Sequence, residues 1–262
     1  MYRIAATSIL ILALSACGGA GTALPNANAP TNTIGQSALG SIALTISIPH
    51  ASATTATART PAYVSPATQS VSVSPAGASA QLFVVTPSSP HCTNSSAVLT
   101  CTLSATASIG QNKSVVIATF ATVDGTGTAL SIGTVVTNVV AGRANPVMVT
   151  LNGVVAAVSV VLTPGTVTKG TAATVGLIVN ALDVSGNTII APGVYVDKNG
   201  NPVTITIVDV DASQSTTTSQ TTLTQTTSGM TLGYNGSNSF STASISATAS
   251  TGANGSANLT SN

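Results

Sequence analysis

From Ser41 onward, apolar and polar side chains alternate in short runs. "SIALTISIP" places Ile42, Leu44, Ile46 and Ile48 on one face, the period-2 signature of a half-buried β-strand. "QSVSVSP" repeats it through Val71 and Val73, and "AVLTCTLSA" through Leu99, Cys101 and Leu103. "QLFVVTP" is continuously apolar and predicts a strand buried on both sides. "SVVIATFATV", "ALSIGTVVTNV" and "NPVMVTL" continue the series to Leu151. A second series opens at "VVAAVSVVLTPG" and runs through "TAATVGLIVNALD", "TIIAPGVYVD", "NPVTITIVDVD", "MTLGY" and "STASISATAS". The closing "STGANGSANLTSN" predicts an edge strand or a frayed end. No segment sustains a 3.6-residue apolar period, and Gly and Pro punctuate at strand-length intervals. That pattern predicts an all-β chain of sandwiches or barrels.

Composition sharpens this. Charged residues make up 4% of the chain and aromatic residues 3%, with no tryptophan, while 44% are hydrophobic. So apolar a chain has the material for a packed core and does not read as disordered. The net charge of +1 includes Arg3, and no basic stripe exists to neutralise phosphates, so nucleic acid is not an expected partner. Seven Phe and Tyr in total cannot supply the aromatic girdles of a membrane barrel.

The N-terminus has a different character. Met1-Tyr2-Arg3 precedes an apolar run from Ile4 to Ala16 centred on "ILILAL". Spanning a bilayer needs about 20 apolar residues, so this run reads as an export signal rather than a membrane helix. It ends in Leu14-Ser15-Ala16-Cys17, which resembles the lipobox of bacterial lipoproteins. The resemblance implies cleavage before Cys17, acylation of that cysteine and attachment to a membrane. Gly18, where an Asp would stand for inner-membrane retention, resembles the outer-membrane sorting pattern. Residues 18–36, "GGAGTALPNANAPTNTIGQ", carry no periodicity and predict a tether spanning on the order of 20–25 Å.

Export leads to an oxidising compartment, where Cys92 and Cys101 are expected to form a structural disulfide. The alternative, a redox or metal pair, would want C-x-x-C spacing or additional ligands, and only His91 stands nearby.

Three turns read D-x-x-G between strand-like runs: Asp124 to Gly127, Asp183 to Gly186, and Asp197 to Gly200. Asp at the first position accepts backbone hydrogen bonds from the residues ahead, and Gly at the fourth takes a left-handed conformation without a Cβ clash. "DVSGNTI" and "DKNGNPV" resemble segments of the bacterial immunoglobulin-like modules found in adhesins of the invasin and intimin type. The resemblance covers Val154 to the C-terminus. It implies an immunoglobulin-like sandwich there, with a less distinct second one before it. The expected organisation is a signal peptide over 1–16, a lipidated cysteine and tether over 17–36, and two immunoglobulin-like β-sandwiches over 37–152 and 153–262.

Chemistry is scarce. Asp197, Asn199 and Asn201 are spaced like the start of a calcium loop, yet Val208 stands where the bidentate Glu is needed. Asp209 and Asp211 share a strand face and offer a looser cation site. No G-x-S-x-G elbow occurs, and His50 and His91 lie in polar, loop-like stretches that predict exposed side chains. Tyr63, Tyr195 and Tyr234 are scattered and predict core positions rather than a sugar-stacking platform. The expectation is a non-enzymatic, lipid-anchored envelope protein without cofactor or metal, serving as a spacer or adhesive module toward a protein or glycan ligand. The rival expectation is a carbohydrate-binding module or accessory domain of a polysaccharide-active enzyme.

Overall fold

A computed structural model of the 262-residue chain describes residues 39–50, 63–190 and 193–262. The signal segment, Cys17 and the tether lie outside the described residues. The described residues contain strands and turns and no helix.

The first series of strands comprises β1 (Leu39–Pro49), β2 (Ser70–Pro75), β3 (Gln81–Val84), β4 (Cys92–Asn94), β5 (Val98–Ser108), β6 (Gly110–Phe120), β7 (Ser131–Val139), β8 (Ala144–Val147) and β9 (Asn152–Gly153). They form two sheets, ordered β4-β5-β1-β8 and β3-β2-β6-β7-β9. The alternation read in the sequence explains why they face each other. Ile42, Leu44, Ile46 and Ile48 of β1 and Leu99, Cys101 and Leu103 of β5 are buried, and they meet Val71, Val73, Val115 and Ile117 from the other sheet in one core. Burying such a side chain contributes about 1.5–3 kcal/mol.

The second series comprises β10 (Ala157–Thr163), β11 (Thr166–Val167), β12 (Ala173–Leu182), β13 (Ile205–Val210), β14 (Thr216–Thr218), β15 (Thr222–Leu223), β16 (Thr231–Tyr234), β17 (Thr242–Ala249) and β18 (Asn254–Ser261). Its sheets are ordered β10-β12-β16-β14 and β11-β18-β17-β13-β15. Val175, Leu177 and Val179 of β12 pack with Ile205, Ile207, Ile245 and Leu259 in a separate core.

In immunoglobulin lettering the second sandwich is A-B-E-D against A′-G-F-C, the layer arrangement of that fold. Its first strand, β10, runs antiparallel to β12, and β11 runs parallel to the last strand, β18. The first sandwich has the same layers, D-E-B against C′-C-F-G. No strand A precedes β1 among the described residues. The place of A beside β1 is taken by β8, which follows strand G and runs in the opposite sense. β8 is parallel to β1, and β9 is antiparallel to β7.

Two sequence expectations change. "QLFVV" is not buried on both sides: Leu82 and Val84 remain 45% and 40% exposed, because β3 is an edge strand whose outer face has no covering layer. The C-terminal run neither frays nor forms an edge. β18 lies between β17 and β11, and Leu259 is fully buried.

Sheet membership passes from the first pair to the second between Gly153 and Ala157. Tyr63 crosses that division. Its amide donates to Leu151 O at 2.8 Å, while its ring belongs to the core of the second sandwich. Val154 and Val196, both buried, pack with Ala129 in a small cluster at the same junction.

Candidate functional site

The two later D-x-x-G turns are built alike. Gly186 N donates to Asp183 O and Gly200 N to Asp197 O, each at 3.0 Å. One carboxylate oxygen of Asp183 accepts from Ser185 N and Asn187 N at 2.9 Å, and the corresponding oxygen of Asp197 accepts from Asn199 N and Asn201 N at 2.8 Å. Gly186 and Gly200 take φ of 79° and 83°, where a Cβ would be strained. The Asp124 turn differs. Its carboxylate accepts from the amide and hydroxyl of Thr126, and Gly125 as well as Gly127 is left-handed. These bonds hold Asp124 and Asp197 below the usual carboxylate range, through the Thr126 hydroxyl and the Asn201 carboxamide respectively.

Surroundings separate the twins. Asp197 is on the surface. Asp183 is 2% exposed, because the Tyr63 hydroxyl donates to its second carboxylate oxygen at 2.9 Å. Asn187 Nδ2 reaches Ser65 Oγ at 3.2 Å, so the turn is fastened to the first half of the chain at two points. Nothing in the turn motif distinguishes the buried copy from the exposed one, and sequence reasoning could not have found this role for Tyr63. Tyr195 and Tyr234 are buried in the same core as Tyr63. Burial pushes the Tyr195 phenol up, and the Tyr234 hydroxyl donates to Ser237 O at 2.6 Å.

Asp209 and Asp211 stand on and just after β13. One oxygen of Asp211 accepts from Ser213 N and Oγ, and the other from Ser215 N and Thr216 N. Burial pushes this carboxyl up, but those bonds prevail and hold it below the usual range. Asp209 accepts from the Thr216 hydroxyl at 2.9 Å, while its other oxygen is buried without a partner. Burial pushes Asp209 up, and the charge of Asp211 adds to that. The loop is therefore an aspartate-capped turn whose acceptors are mostly consumed by its own amides. The histidines are elsewhere. His50 and His91, half-buried rather than exposed, engage Ser95 O and Val84 O at 2.9 and 2.8 Å in the first sandwich. Among the described residues no three His, Cys, Asp or Glu side chains gather.

Cys92 and Cys101 are joined by a disulfide, directly opposite each other on β4 and β5. Beyond this short partner the edge of β5 is protected by a side chain. The Gln81 carboxamide donates to Thr106 O at 2.8 Å and accepts from Thr106 N at 2.9 Å, standing in for a neighbouring strand. The opposite edge of the sheet is different. β8 pairs with β1 only over Ser41–Leu44 and then crosses toward β7. Between β1 and the departing segment lies a groove of about 460 Å³ lined by Leu44, Ile46, Val64, Val147, Met148 and Leu151. Met148 at its lip is 90% exposed. Such a groove beside a strand edge has the form used to accept an extended peptide. A second cleft, also about 460 Å³, lies in the second sandwich. Thr174, Gln214, Ser215, Thr217 and Asn235 line it around Gly233.

No family model matches the chain, and no curated protein sequence matches it. Among solved structures, the chain is similar to the adhesin InvE of Yersinia pseudotuberculosis, at 15% identity and a TM-score of 0.28, over 87% of this chain and 61% of that one. This chain thus spans about three fifths of the adhesin's length. The likeness is too loose to transfer topology, ligand or role.

Proposed function

We propose that this chain is a lipid-anchored, non-enzymatic protein of the bacterial envelope, acting as a spacer or adhesive module at the outer membrane or cell surface. The observation that carries the reading is the order of parts. Leu14-Ser15-Ala16-Cys17 closes an export signal, a tether follows, and two sandwiches come next. Two or three acyl chains on Cys17 make a stable anchor, at about 0.8 kcal/mol per buried CH₂. The apolar groove at the β1 edge supports an adhesive role, since a strand edge beside apolar side chains suits an extended protein ligand. Replacing Cys17 by Ser is expected to leave uncleaved precursor or a soluble product. An unchanged membrane fraction would overturn the anchor. Binding of the soluble chain from Gly18 onward to one envelope protein, saturably, is the expected result of a pull-down.

The hydroxyl- and amide-lined cleft around Gly233 favours a second reading, a carbohydrate-binding module. Saturable binding on a glycan array that is lost in Gln214→Ala would establish it in place of the first. Turnover of an envelope polymer would overturn both.

A further inference from the structure

The two sandwiches differ beside the far end of strand B. Counted back from the last inward-facing residue of each strand, Ile48 of β1 matches Ala181 of β12, Ile46 matches Val179, and Ser47 between them matches Asn180. In the second sandwich β10 covers this stretch. Val158, Ser159 and Val160 stand opposite Ala181, Asn180 and Val179, and both valines are buried. In the first sandwich no described strand covers it, because β8 pairs with β1 only from Ser41 to Leu44. The apolar groove lies there instead. We propose that this groove takes an extended segment of a partner protein, uncharged and of the form apolar-polar-apolar, laid antiparallel to β1 and centred on Ser47. This gives the adhesive reading above its ligand chemistry, and it rests on that reading for where the partner resides.

Backbone direction makes Ser47 the centre. His50 N donates to Ala97 O at 3.1 Å, which extends the register of Pro49 opposite Val98. Bonding alternates along an antiparallel pair. Ile46 and Ile48 therefore turn their amides and carbonyls toward β5, while Thr45 and Ser47 turn theirs toward the groove. β12 has the same phase: Leu177 N donates to Met230 O at 3.0 Å on one side, so Asn180 faces β10 on the other. At the end of the covered stretch Leu182 O accepts from Ala156 N at 2.9 Å. The carbonyl of Pro49, one residue past Ile48, stands at the matching place. Having no N–H, Pro49 also limits this edge to a short segment.

Side-chain direction defines the ligand. In a strand paired this way, the residue opposite Ser47 points outward with it, and its two neighbours point between the sheets. There they meet Leu44, Ile46, Val64, Val147 and Leu151, as Val158 and Val160 join the core of the second sandwich. No residue lining the groove is ionisable, so a charged side chain entering it would lose its water without gaining a partner. Two valine-like side chains separated by one small polar residue, the Val-Ser-Val of β10, are the form that fits.

Fluorescence anisotropy tests this with the chain from Gly18 onward and a labelled synthetic peptide of residues 156–163, the sequence of β10, carrying a Ser/Asn tail for solubility. Saturable binding at one site is expected, with slowed hydrogen exchange at Ser47 N. A peptide with Val158→Lys and Val160→Lys should bind at least about ten-fold more weakly, since burying one valine is worth that much. Met148→Lys in the protein, at a residue 90% exposed on the lip of the groove, should weaken the parent peptide similarly with its melting curve unchanged. No binding, or equal binding of the lysine peptide, would overturn the proposal. Tighter binding of a peptide of residues 18–36 would give the groove to the chain's own N-terminal segment, and dimerisation in sedimentation that Met148→Lys abolishes would give it to a second copy; either overturns it. Capture of an envelope protein that Met148→Lys leaves unchanged would overturn it while the adhesive reading stands. Peptide binding in the groove with no envelope protein captured would uphold it and remove that reading.

Discussion

Removing the Asp183 side chain should cost far more than removing its twin at Asp197, although both turns make the same local bonds. Asp183→Ala removes the acceptor of the Tyr63 hydroxyl, Ser185 N and Asn187 N, and of the longer contacts from Asn187 Nδ2. Ser185 is exposed, so water can replace its bond, and the half-buried Asn187 amide is partly recovered. The bond from the Tyr63 hydroxyl to Asp183 is not replaced by water, because the residue is 2% exposed. Losing a buried bond that water does not replace costs about 1–3 kcal/mol and each exposed bond about 1, which sums to roughly 3 kcal/mol. For a chain of this size that lowers the melting temperature by roughly 6–12 °C. Tyr63→Phe should recover part of this in the Asp183→Ala background, since it deletes the donor that Asp183 served, while costing stability alone. A double-mutant cycle monitored by circular dichroism at 218 nm measures that coupling. Asp197→Ala should shift the midpoint only slightly, its donors being open to water. Equal losses at the two aspartates, or additivity of Tyr63→Phe with Asp183→Ala, would refute the role assigned to burial at the junction.

Two further outcomes follow from the same reasoning. Burial raises the folded-state pKa of Asp209, so its ionised form weighs against folding at neutral pH, and stability is regained as pH falls through the raised value toward the usual carboxylate range. Asp209→Asn should therefore melt higher than the parent at pH 7, with the gap closing below about pH 3.5; a gap unchanged across that window would exclude the electrostatic cause. Replacing both Cys92 and Cys101 by Ser opens a loop with a sequence separation of 9, which should cost about 2–3 kcal/mol in the chain-entropy account, read as a lower urea midpoint.

What the sequence made legible was whatever depends on local periodicity. The faces of β1 and β5 follow from alternation, because a period of 2 leaves one face for the core. The paired turns at Asp183 and Asp197 follow from the demands of the fourth residue on φ. "QLFVV" misled because apolar content does not say whether a second layer covers the outer face. The C-terminal run misled because Gly, Ser and Asn hide a strand whose only fully buried large side chain is Leu259. The candidate surfaces were less legible still. Gln81 as an edge guard, Asn145 as a fastening of β8 to Ser41 O of β1 at 2.9 Å and Tyr63 as a link between cores each depend on a partner distant in sequence, up to 120 residues away for Tyr63 and Asp183.

The direction of β8 lies furthest from any sequence signal, and it organises the rest. "ANPV" contains a proline, which restricts it to a sheet edge, and the edge it finds is the one a preceding strand A would otherwise take. Entering that edge after strand G rather than before strand B reverses its sense. The chain must then leave β1 at Leu44 to reach β7 and the second sandwich. That departure opens the apolar groove beside Thr45 and Ser47, and the same crossing brings Leu151 to the Tyr63 amide and so positions the ring over Asp183. The groove, the junction and the parallel pairing are thus consequences of one substitution of strand order. Asn145→Ala, which removes the bonds from Nδ2 to Ser41 O and Val140 O at a residue 4% exposed, should consequently lower the melting temperature while leaving the turn at Asp183 undisturbed.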